Sequence, residues 1–265
     1  MAKQPHLLVE PGDLNDVALL PGDPGRVDRI AGHCEDSEVV ARNREYKLVN
    51  ATYEGRELTI CSTGIGSPSA AIAVEELARV GAGTLVRVGS CGSIVPEAAV
   101  GELVITTAAV RQEGTSKEYV REDYPASADH RVVSALVAAA EELGYDYHLG
   151  VTCSTDSFYA GQSRPGFEGF EARDSEANID DLRQAGVVNF EMEAASILTL
   201  ASLYGLRAGA VCTVYANRET GEFRTEGEAK AAECASLAVT YLERMDDAVE
   251  QSDSDHWHAG LSIER

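Results

Sequence analysis

A charged residue and several small residues lie together where one of the apolar runs of this chain ends. The run 84–88 contains Arg87 and is followed by Gly89, Ser90 and Gly92. A charge within a buried strand is costly unless it is paired. A cation, a hydroxyl and flexible glycine amides at the end of a strand suit a phosphate group. The alternative from these residues alone is a strand–loop junction in which Arg87 forms a structural salt bridge.

Two more arginines, Arg26 and Arg44, also fall at predicted loop or strand ends. Guanidinium groups bind phosphate through paired hydrogen bonds, so a cluster of Arg26, Arg44 and Arg87 would form an anion site. The turn at Gly22 precedes Arg26 and would add backbone amides. The sequence itself does not show that the three arginines come together.

Two acidic residues flank a methionine in Glu191-Met192-Glu193, at the start of an alanine- and leucine-rich run that predicts a helix from Met192 to Tyr204. Acidic residues are common at helix starts because they interact favourably with the helix dipole. A second interpretation is that a carboxylate accepts hydrogen bonds from the hydroxyls of a sugar. Met192 would then pack against the sugar ring.

The segment 157–164 carries Phe158, Gln162 and Arg164. Phe158 offers a flat face for stacking, Gln162 offers both a donor and an acceptor, and Arg164 offers donors only. Together these groups suit the edge of a base that is a cyclic imide. From these residues alone, an ordinary polar loop is the simpler alternative.

Predicted strands and helices alternate along the chain without an obvious linker. Strands are predicted at 17–20, 58–62, 84–88, 101–107, 151–155, 187–190 and 207–215, and helices at 27–31, 69–80, 130–143, 192–204 and 226–245. This alternation predicts one α/β domain with a central mixed sheet flanked by helices.

Three segments lie outside this pattern. Residues 111–129 are polar and predict a surface loop. Residues 158–183 form a long, irregular and charged segment, which predicts a functional or mobile loop because such loops are uncommon otherwise. We place the domain at 1–248 and expect 249–265 to be an acidic, flexible tail.

Composition narrows the possible partners and compartment. The chain of 265 residues has a formal net charge of -22 and only four lysines. Such a surface repels nucleic acid, and no apolar run is long enough to cross a membrane. An acidic surface is favoured where abundant salt screens its self-repulsion. Because the start of the chain shows no signal-peptide pattern, we expect a cytoplasmic protein from a halophilic cell, without nucleic-acid or membrane partners.

Several long motifs occur in the order expected of one enzyme family. They are LLPGDPGRV at 19–27, NREY at 43–46, CSTGIGSPSAAIAVEELARVG at 61–81, RVGSCGSI at 87–94, SFYAGQSR at 157–164 and VVNFEMEAASILTL at 187–200. Through these motifs residues 6–245 resemble the nucleoside phosphorylase family, and within it the members that cleave uridine. The resemblance implies phosphorolysis of uridine to uracil and ribose 1-phosphate in pyrimidine nucleoside salvage.

The resemblance also implies a role for each candidate residue. The phosphate would be bound by Gly22, Arg26, Arg87, Ser90 and, from a neighbouring subunit, Arg44. The ribose would be bound by Glu191, Met192, Glu193 and, across the subunit interface, His6. The base would be bound by Phe158, Gln162 and Arg164. Of these residues, Arg87, Glu193 and Arg164 are expected to be catalytic.

Sites shared between subunits imply a homo-oligomer, and the resemblance favours a hexamer. It implies no metal or organic cofactor, with inorganic phosphate as the co-substrate. The six cysteines are scattered and show no metal-ligand spacing. Some relatives bind potassium at a subunit interface through residues that match Glu45, Ile65 and Ser69.

The identity of the base rests on conflicting signals. The pair Ser90-Cys91 resembles the purine-cleaving members of the family. Two features oppose a purine: those members carry an aspartate at the position of Ala216, and the Gln162/Arg164 pair is typical of pyrimidine members. We therefore expect uridine, with a purine nucleoside phosphorylase of the same fold as the alternative. A hydrolytic nucleosidase would lack the phosphate-binding arginines. A nucleoside-binding protein without catalysis would not need the complete set.

Overall fold

The structure is a computed structural model, and it describes residues 3–172, 175–225 and 227–261. Its strands are β1 (Val17–Pro21), β2 (Asp36–Asn43), β3 (Tyr46–Tyr53), β4 (Arg56–Cys61), β5 (Thr84–Ser93), β6 (Leu103–Gln112), β7 (Ala126–Ser127), β8 (Tyr147–Thr155), β9 (Val187–Glu191) and β10 (Arg207–Asn217). Its helices are α1 (Pro24–Ala31), α2 (Ser67–Val80), α3 (Thr115–Tyr119), α4 (His130–Leu143), α5 (Ser175–Gln184), α6 (Ala194–Tyr204) and α7 (Glu228–Glu250). None of the helices within these residues is long and apolar enough to cross a membrane.

Strand β1 shows how the sequence builds the two faces of the sheet. All of its residues are buried. Ala18 and Leu20 belong to an apolar cluster with residues of α2 and α6, whereas Leu19 belongs to a second cluster with residues of α4 and α7. Because successive side chains of a strand point to opposite faces, a continuous apolar run is required where helices cover both sides. The predicted α/β domain with a central sheet flanked by helices is confirmed.

The sheet is mixed, and β5 lies at its centre. On one side β5 runs parallel to β10, and on the other side it runs parallel to β1. β1 ends at Pro21, opposite Val88, and β9 pairs with β5 in the antiparallel sense from Gly92 onwards. Residues 89–91 therefore lie in a gap, beyond the end of β1.

Five strands around this gap also close into a ring, which the sequence pattern does not predict. β10 pairs with both β5 and β6, and β8 pairs with both β6 and β9. The pairing of β9 with β5 completes the circuit. Beyond the ring, β1, β4, β3 and β2 extend the sheet in that order, and β7 pairs with β6.

The prediction of a surface loop at 111–129 is wrong. The segment contains α3 and β7, and it buries the polar residues Arg111, Glu113 and Ser116. The Glu113 carboxylate accepts hydrogen bonds from both the amide and the hydroxyl of Ser116, and Arg111 Nε donates to that hydroxyl at 2.8 Å. Polar groups that satisfy one another can be buried, so the polarity of the segment did not indicate exposure.

The C-terminal boundary differs from the one placed at residue 248. Helix α7 begins at Glu228 and continues to Glu250, beyond the predicted 226–245. After it, the ring of Trp257 stacks on that of His130 with centroids 6.3 Å apart, and the Trp257 carbonyl oxygen lies 3.1 Å from His130 Nε2. The chain after α7 therefore contacts α4. The flexibility expected for 249–265 stays a prediction, and 262–265 lie outside the described residues.

Candidate active site

A cavity of about 750 Å³ opens at the gap beside β5. It is lined by residues at the ends of β1, β5, β9 and β10 and by the segment after β8. The residues predicted to bind phosphate, ribose or base that line it are Gly22, Arg26, Arg87, Ser90, Phe158, Gln162, Arg164, Glu191, Met192 and Glu193. The fold thus brings together three motifs that are far apart in the chain.

Arg87 lies in β5 between two carboxylates. Its Nε donates to Glu191 Oε2 at 3.1 Å, and its Nη2 donates to Glu193 Oε2. The three side chains are at most 5% exposed. Burial alone would lower the pKa of Arg87, but the negative charges of Glu193 and Glu191 outweigh it and raise that pKa. The charge within the strand is therefore paired, as its burial requires.

The third nitrogen of the Arg87 guanidinium, Nη1, is buried and has no hydrogen-bond partner among the described residues. Nη1 lies beside the turn at Gly22. A methyl group added to Gly22 would lie 3.8 Å from Nη1 and 3.2 Å from the Gly64 carbonyl oxygen. A buried donor without a partner is costly, most of all on a charged group. An anion in the cavity would satisfy it.

Glu191 links the Arg87 guanidinium to the start of α6. Its Oε2 accepts hydrogen bonds from the amides of Glu193 at 2.8 Å and Ala194 at 2.9 Å, and the hydroxyl of Ser154 donates to its Oε1. Glu191 itself ends β9, and α6 begins at Ala194, two residues later than predicted. The interpretation of an acidic residue that stabilises a helix start therefore applies to Glu191.

Glu193 faces the cavity with a different set of partners. Its Oε1 accepts a hydrogen bond from the amide of Gly66, and its Oε2 accepts from Arg87. Burial raises the pKa of Glu193, and the positive charge of Arg87 opposes that shift. Met192 lies between the two glutamates, with its carbonyl oxygen held by the Ser67 hydroxyl at 2.9 Å and its side chain on the cavity wall.

Arg26 brings a second cation to the end of the cavity that holds Arg87. It lies in α1, whose first turn is capped by Asp23 through the amide of Gly25 at 2.9 Å. Its Nη1 donates to the Val88 carbonyl oxygen at 3.2 Å, and its Nη2 donates to the Tyr215 hydroxyl at 3.4 Å. Two of the three predicted arginines thus meet at one cavity.

Another part of the cavity wall carries Arg164 and Phe158. The Arg164 guanidinium lies 4.4 Å from the centre of the Phe158 ring, and its Nε is buried without a partner among the described residues. Gly92 makes room for it, because a methyl group there would lie 3.3 Å from Arg164 Nη2. Burial lowers the pKa of Arg164, and the nearby charge of Arg218 lowers it further. Gln162 is only 3% exposed beside them.

Sequence reasoning missed several residues of this wall. Arg218 donates to the carbonyl oxygens of Gln162 at 2.7 Å and Ser163 at 2.9 Å, so it holds the turn that presents Gln162 and Arg164. Tyr215 and Phe223 also line the cavity. No local signal marks these residues as part of the site, because Tyr215 lies within a strand and Arg218 and Phe223 follow it.

Comparison with known proteins decides the family. Residues 16–243 match the model of the phosphorylase superfamily. The chain belongs to this superfamily. It is 52% identical to the uridine phosphorylase of Thermococcus kodakarensis over 97% of this chain and 93% of that protein. It is also 52% identical to the guanosine phosphorylase of Halorubrum lacusprofundi, over 83% of this chain and 86% of that protein. The uridine phosphorylase of Escherichia coli is 39% identical over 88% of this chain and 94% of that protein.

Two residues that resemblance to other superfamily members assigned to the site do not line the cavity of the described chain. His6 Nδ1 lies 2.6 Å from Glu76 Oε1, and the His6 carbonyl oxygen accepts a hydrogen bond from Asn43 at 2.8 Å. Arg44 is exposed at the turn between β2 and β3, with a φ of 53°. Arg44 is exposed on its own chain, and His6 is partly buried. Their roles in a neighbouring subunit stay predictions.

The residues that match a potassium site in some superfamily members lie at the rim. The Ser69 hydroxyl donates to Glu45 Oε1 at 2.9 Å, and the side chain of Ile65 is 79% exposed. The carboxylate and the hydroxyl are oxygen donors of the kind that hard cations prefer. A potassium ion at this rim stays a prediction.

The close packing around Arg87 can be tested at Gly89. A methyl group there would lie 2.7 Å from Cys212 Sγ and 3.1 Å from Arg87 Nη2. Overpacking of a core costs about 1–3 kcal/mol, so Gly89→Ala should lower the midpoint of urea unfolding. Adding Cys212→Ala should recover part of the loss, with Cys212→Ala alone as the reference. An unchanged midpoint for Gly89→Ala would contradict the packing described.

Proposed function

We propose that this chain is a nucleoside phosphorylase whose main substrate is uridine. Inorganic phosphate attacks C1′ of the ribose, the C1′–N1 bond breaks, and uracil and ribose 1-phosphate are released. The observation that carries the proposal is the buried Nη1 of Arg87, which has no partner among the described residues, in a cavity that Arg164 also lines. The uridine phosphorylases among the relatives support the choice of nucleoside.

Phosphate binding follows from the donors at the end of the cavity that holds Arg87. Arg87 Nη1 is a charged donor without a partner among the described residues, and Arg26 lines the same end. The Ser90 hydroxyl and the amides of the turn at Gly22 complete the proposed phosphate site. Charge-assisted hydrogen bonds of this kind are stronger than neutral ones.

The chemical step needs stabilisation of a sugar cation. Cleavage of a glycosidic bond passes through an oxocarbenium-like transition state. The attacking phosphate supplies negative charge next to that cation. Glu193 and Met192 line the cavity next to Arg87, and we assign them to the ribose hydroxyls and the ribose ring. Glu191 supports the same region through Arg87 and the start of α6.

The base is assigned to the part of the wall that holds Arg164. Phe158 stacks on it, Gln162 reads a donor and an acceptor on its edge, and Arg164 donates to a carbonyl oxygen. As the glycosidic bond breaks, negative charge moves onto the carbonyl oxygens of uracil. A donor fixed in advance where charge develops stabilises the transition state more than the ground state.

One assay separates this proposal from its rivals. The protein is incubated with uridine or guanosine, with and without phosphate, and free base and ribose 1-phosphate are followed. Base release without phosphate would indicate a hydrolytic nucleosidase, and no release under any condition would indicate a binding protein. Faster release from guanosine than from uridine would favour the second candidate, a purine nucleoside phosphorylase, which the Halorubrum relative supports.

We further propose that the active form is a homo-oligomer, with a hexamer expected from the resemblance to other members. His6 and Arg44 lie outside the cavity of their own chain. In a neighbouring subunit Arg44 would reach the phosphate and His6 the ribose 5′-hydroxyl. No organic cofactor enters this scheme.

Loss of Arg164 should mainly slow the chemical step. Removing one preorganised donor commonly lowers kcat on the order of 10²–10³-fold, and we expect this of Arg164→Ala with uridine. Arg121→Ala is the control, because that side chain is 90% exposed. A change in KM at constant kcat would show that Arg164 binds the base without stabilising its departure.

Shared sites predict complementation between two inactive variants. Arg44→Ala and Arg164→Ala chains, co-expressed with different tags, should form hybrid oligomers in which some sites contain neither substitution. Those sites should be active, although each variant alone is not. The control is co-expression of two tagged Arg44→Ala chains. A fully active monomer of the unsubstituted chain would contradict the proposal of shared sites.

The net charge of -22 supports a cytoplasmic protein of a salt-rich cell. Salt screens repulsion among surface carboxylates, with a Debye length of about 10 Å at 0.1 M and about 3 Å at 1 M. The melting temperature should therefore rise with KCl concentration between these limits. NaCl at equal concentrations is the control for ion identity. A melting temperature highest at low salt would contradict the proposal.

A further inference from the structure

Ser154, near the end of β8, takes part in two buried hydrogen bonds beside the ion pairs of Arg87. It lies directly opposite Glu191 of β9 in the sheet register. The amide of Ala195, in the first turn of α6, donates to its hydroxyl oxygen at 2.8 Å. The hydroxyl proton in turn is donated to Glu191 Oε1. Ser154 is fully buried and is not among the residues that line the cavity, so its influence on a bound ligand must pass through Glu191.

The hydrogen bond from Ser154 determines which oxygen of Glu191 faces Arg87. Because Ser154 holds Oε1, Oε2 is the oxygen that accepts from Arg87 Nε, at 3.1 Å. Nη2 of Arg87 donates to Glu193 instead. A guanidinium is planar, so fixing Nε and Nη2 also fixes the direction of Nη1. Nη1 is the buried nitrogen that has no partner among the described residues.

Loss of the Ser154 hydroxyl would leave Glu191 Oε1 as a buried acceptor without a donor. Such a group is costly, so the carboxylate would turn towards another donor. The charged donor already beside it is Arg87. Carboxylates commonly bind guanidinium groups through both oxygens, and Glu191 in that arrangement would compete with Glu193 for Nη2. The direction of Nη1 would change with it.

We propose that Ser154 is a positioning residue for phosphate, which acts through Glu191 to hold Arg87 with Nη1 available to an anion in the cavity. The inference rests on the proposed phosphorolysis. Ser154 lies outside the motifs that carry the family resemblance, and its contribution becomes visible only through the pairing of β8 with β9.

The next pair along the same two strands provides a matched control. Thr152 lies opposite Asn189 as Ser154 lies opposite Glu191. The Thr152 hydroxyl is also fully buried, 3.0 Å from Asn189 Oδ1 and 2.7 Å from the hydroxyl of Thr106. Within the described chain it forms no hydrogen bond with Arg87 or Glu191. Thr152→Val therefore removes a buried hydroxyl from the same strand without touching the ion pairs.

The KM values for phosphate and for uridine should distinguish the two hydroxyls. Ser154→Ala should raise the phosphate KM about tenfold, the lower end of what outer-shell partners contribute at metal sites. The uridine KM should rise less. Thr152→Val should leave both KM values close to those of the unsubstituted chain, although both variants lose stability. An equal phosphate KM in the two variants would overturn the inference and leave phosphorolysis intact.

Ser154→Cys tests whether the hydrogen bond or the shape of the side chain matters. Cysteine occupies nearly the same space as serine, but its thiol is a weak donor. The phosphate KM of Ser154→Cys should therefore lie between those of the unsubstituted chain and of Ser154→Ala. A KM equal to that of the unsubstituted chain would show that shape alone matters, and the inference would fail.

Phosphate-dependent melting gives a readout that does not require catalysis. A ligand that binds only the folded chain raises its melting temperature. Inorganic phosphate should raise that of the unsubstituted chain and of Thr152→Val more than that of Ser154→Ala, with KCl at equal ionic strength as the control. Ser154→Cys replaces Ser154→Ala if the latter does not fold. Equal rises in all variants would overturn the inference. The expected difference in a chain that cleaves no nucleoside would support it and overturn the proposed function alone.

Discussion

The buried ion pairs of Arg87 with Glu191 and Glu193 are the interaction on which the rest of the site depends. They tie the centre of the sheet to the start of α6, since Glu191 accepts from Arg87 and from two amides of that helix start. Removing one partner of a buried pair commonly costs about 3–5 kcal/mol because the other charge is left alone. The cluster of Arg87, Glu191 and Glu193 therefore stabilises the fold. We propose an anion site here because one nitrogen, Nη1, is left without a partner among the described residues.

The gap beside β5 explains why the site lies at this point of the sheet. β1 stops at Pro21, which cannot donate to a ladder, and β9 takes its place at Gly92. Between these points β5 still pairs with β10. The backbone of 89–91 is therefore held in position on one side and open on the other. Gly89 leaves room for the Arg87 side chain, because a methyl group on residue 89 would lie 3.1 Å from Arg87 Nη2.

The fold class could be predicted from the sequence, because continuous apolar runs marked the buried strands. Most residues of the cavity wall were predicted through the resemblance of long motifs to one family, since the residue types alone left a structural salt bridge or an ordinary polar loop as alternatives. Arg218 could not be found this way. Its contacts with the carbonyl oxygens of Gln162 and Ser163 join segments more than fifty residues apart. The burial of Glu113 was missed for the same physical reason, since polarity does not tell which polar groups satisfy one another.

The two ends of the cavity differ in how their positive charge is compensated. Around Arg87, two carboxylates neutralise the cation, so in the proposed function the attraction for phosphate comes from Arg26 and from Nη1 of Arg87, which has no partner among the described residues. Around Arg164 the neighbouring charge is that of Arg218, and burial and this like charge both lower the pKa of Arg164. A neutral base next to Arg164 offsets little of the free-energy cost of burying this guanidinium near Arg218. A base that becomes negative as it leaves relieves much more, because charges interact strongly where water is displaced. If the base leaves at this wall as we propose, the arrangement of cations favours the departing base over the bound one, which is the condition for catalysis.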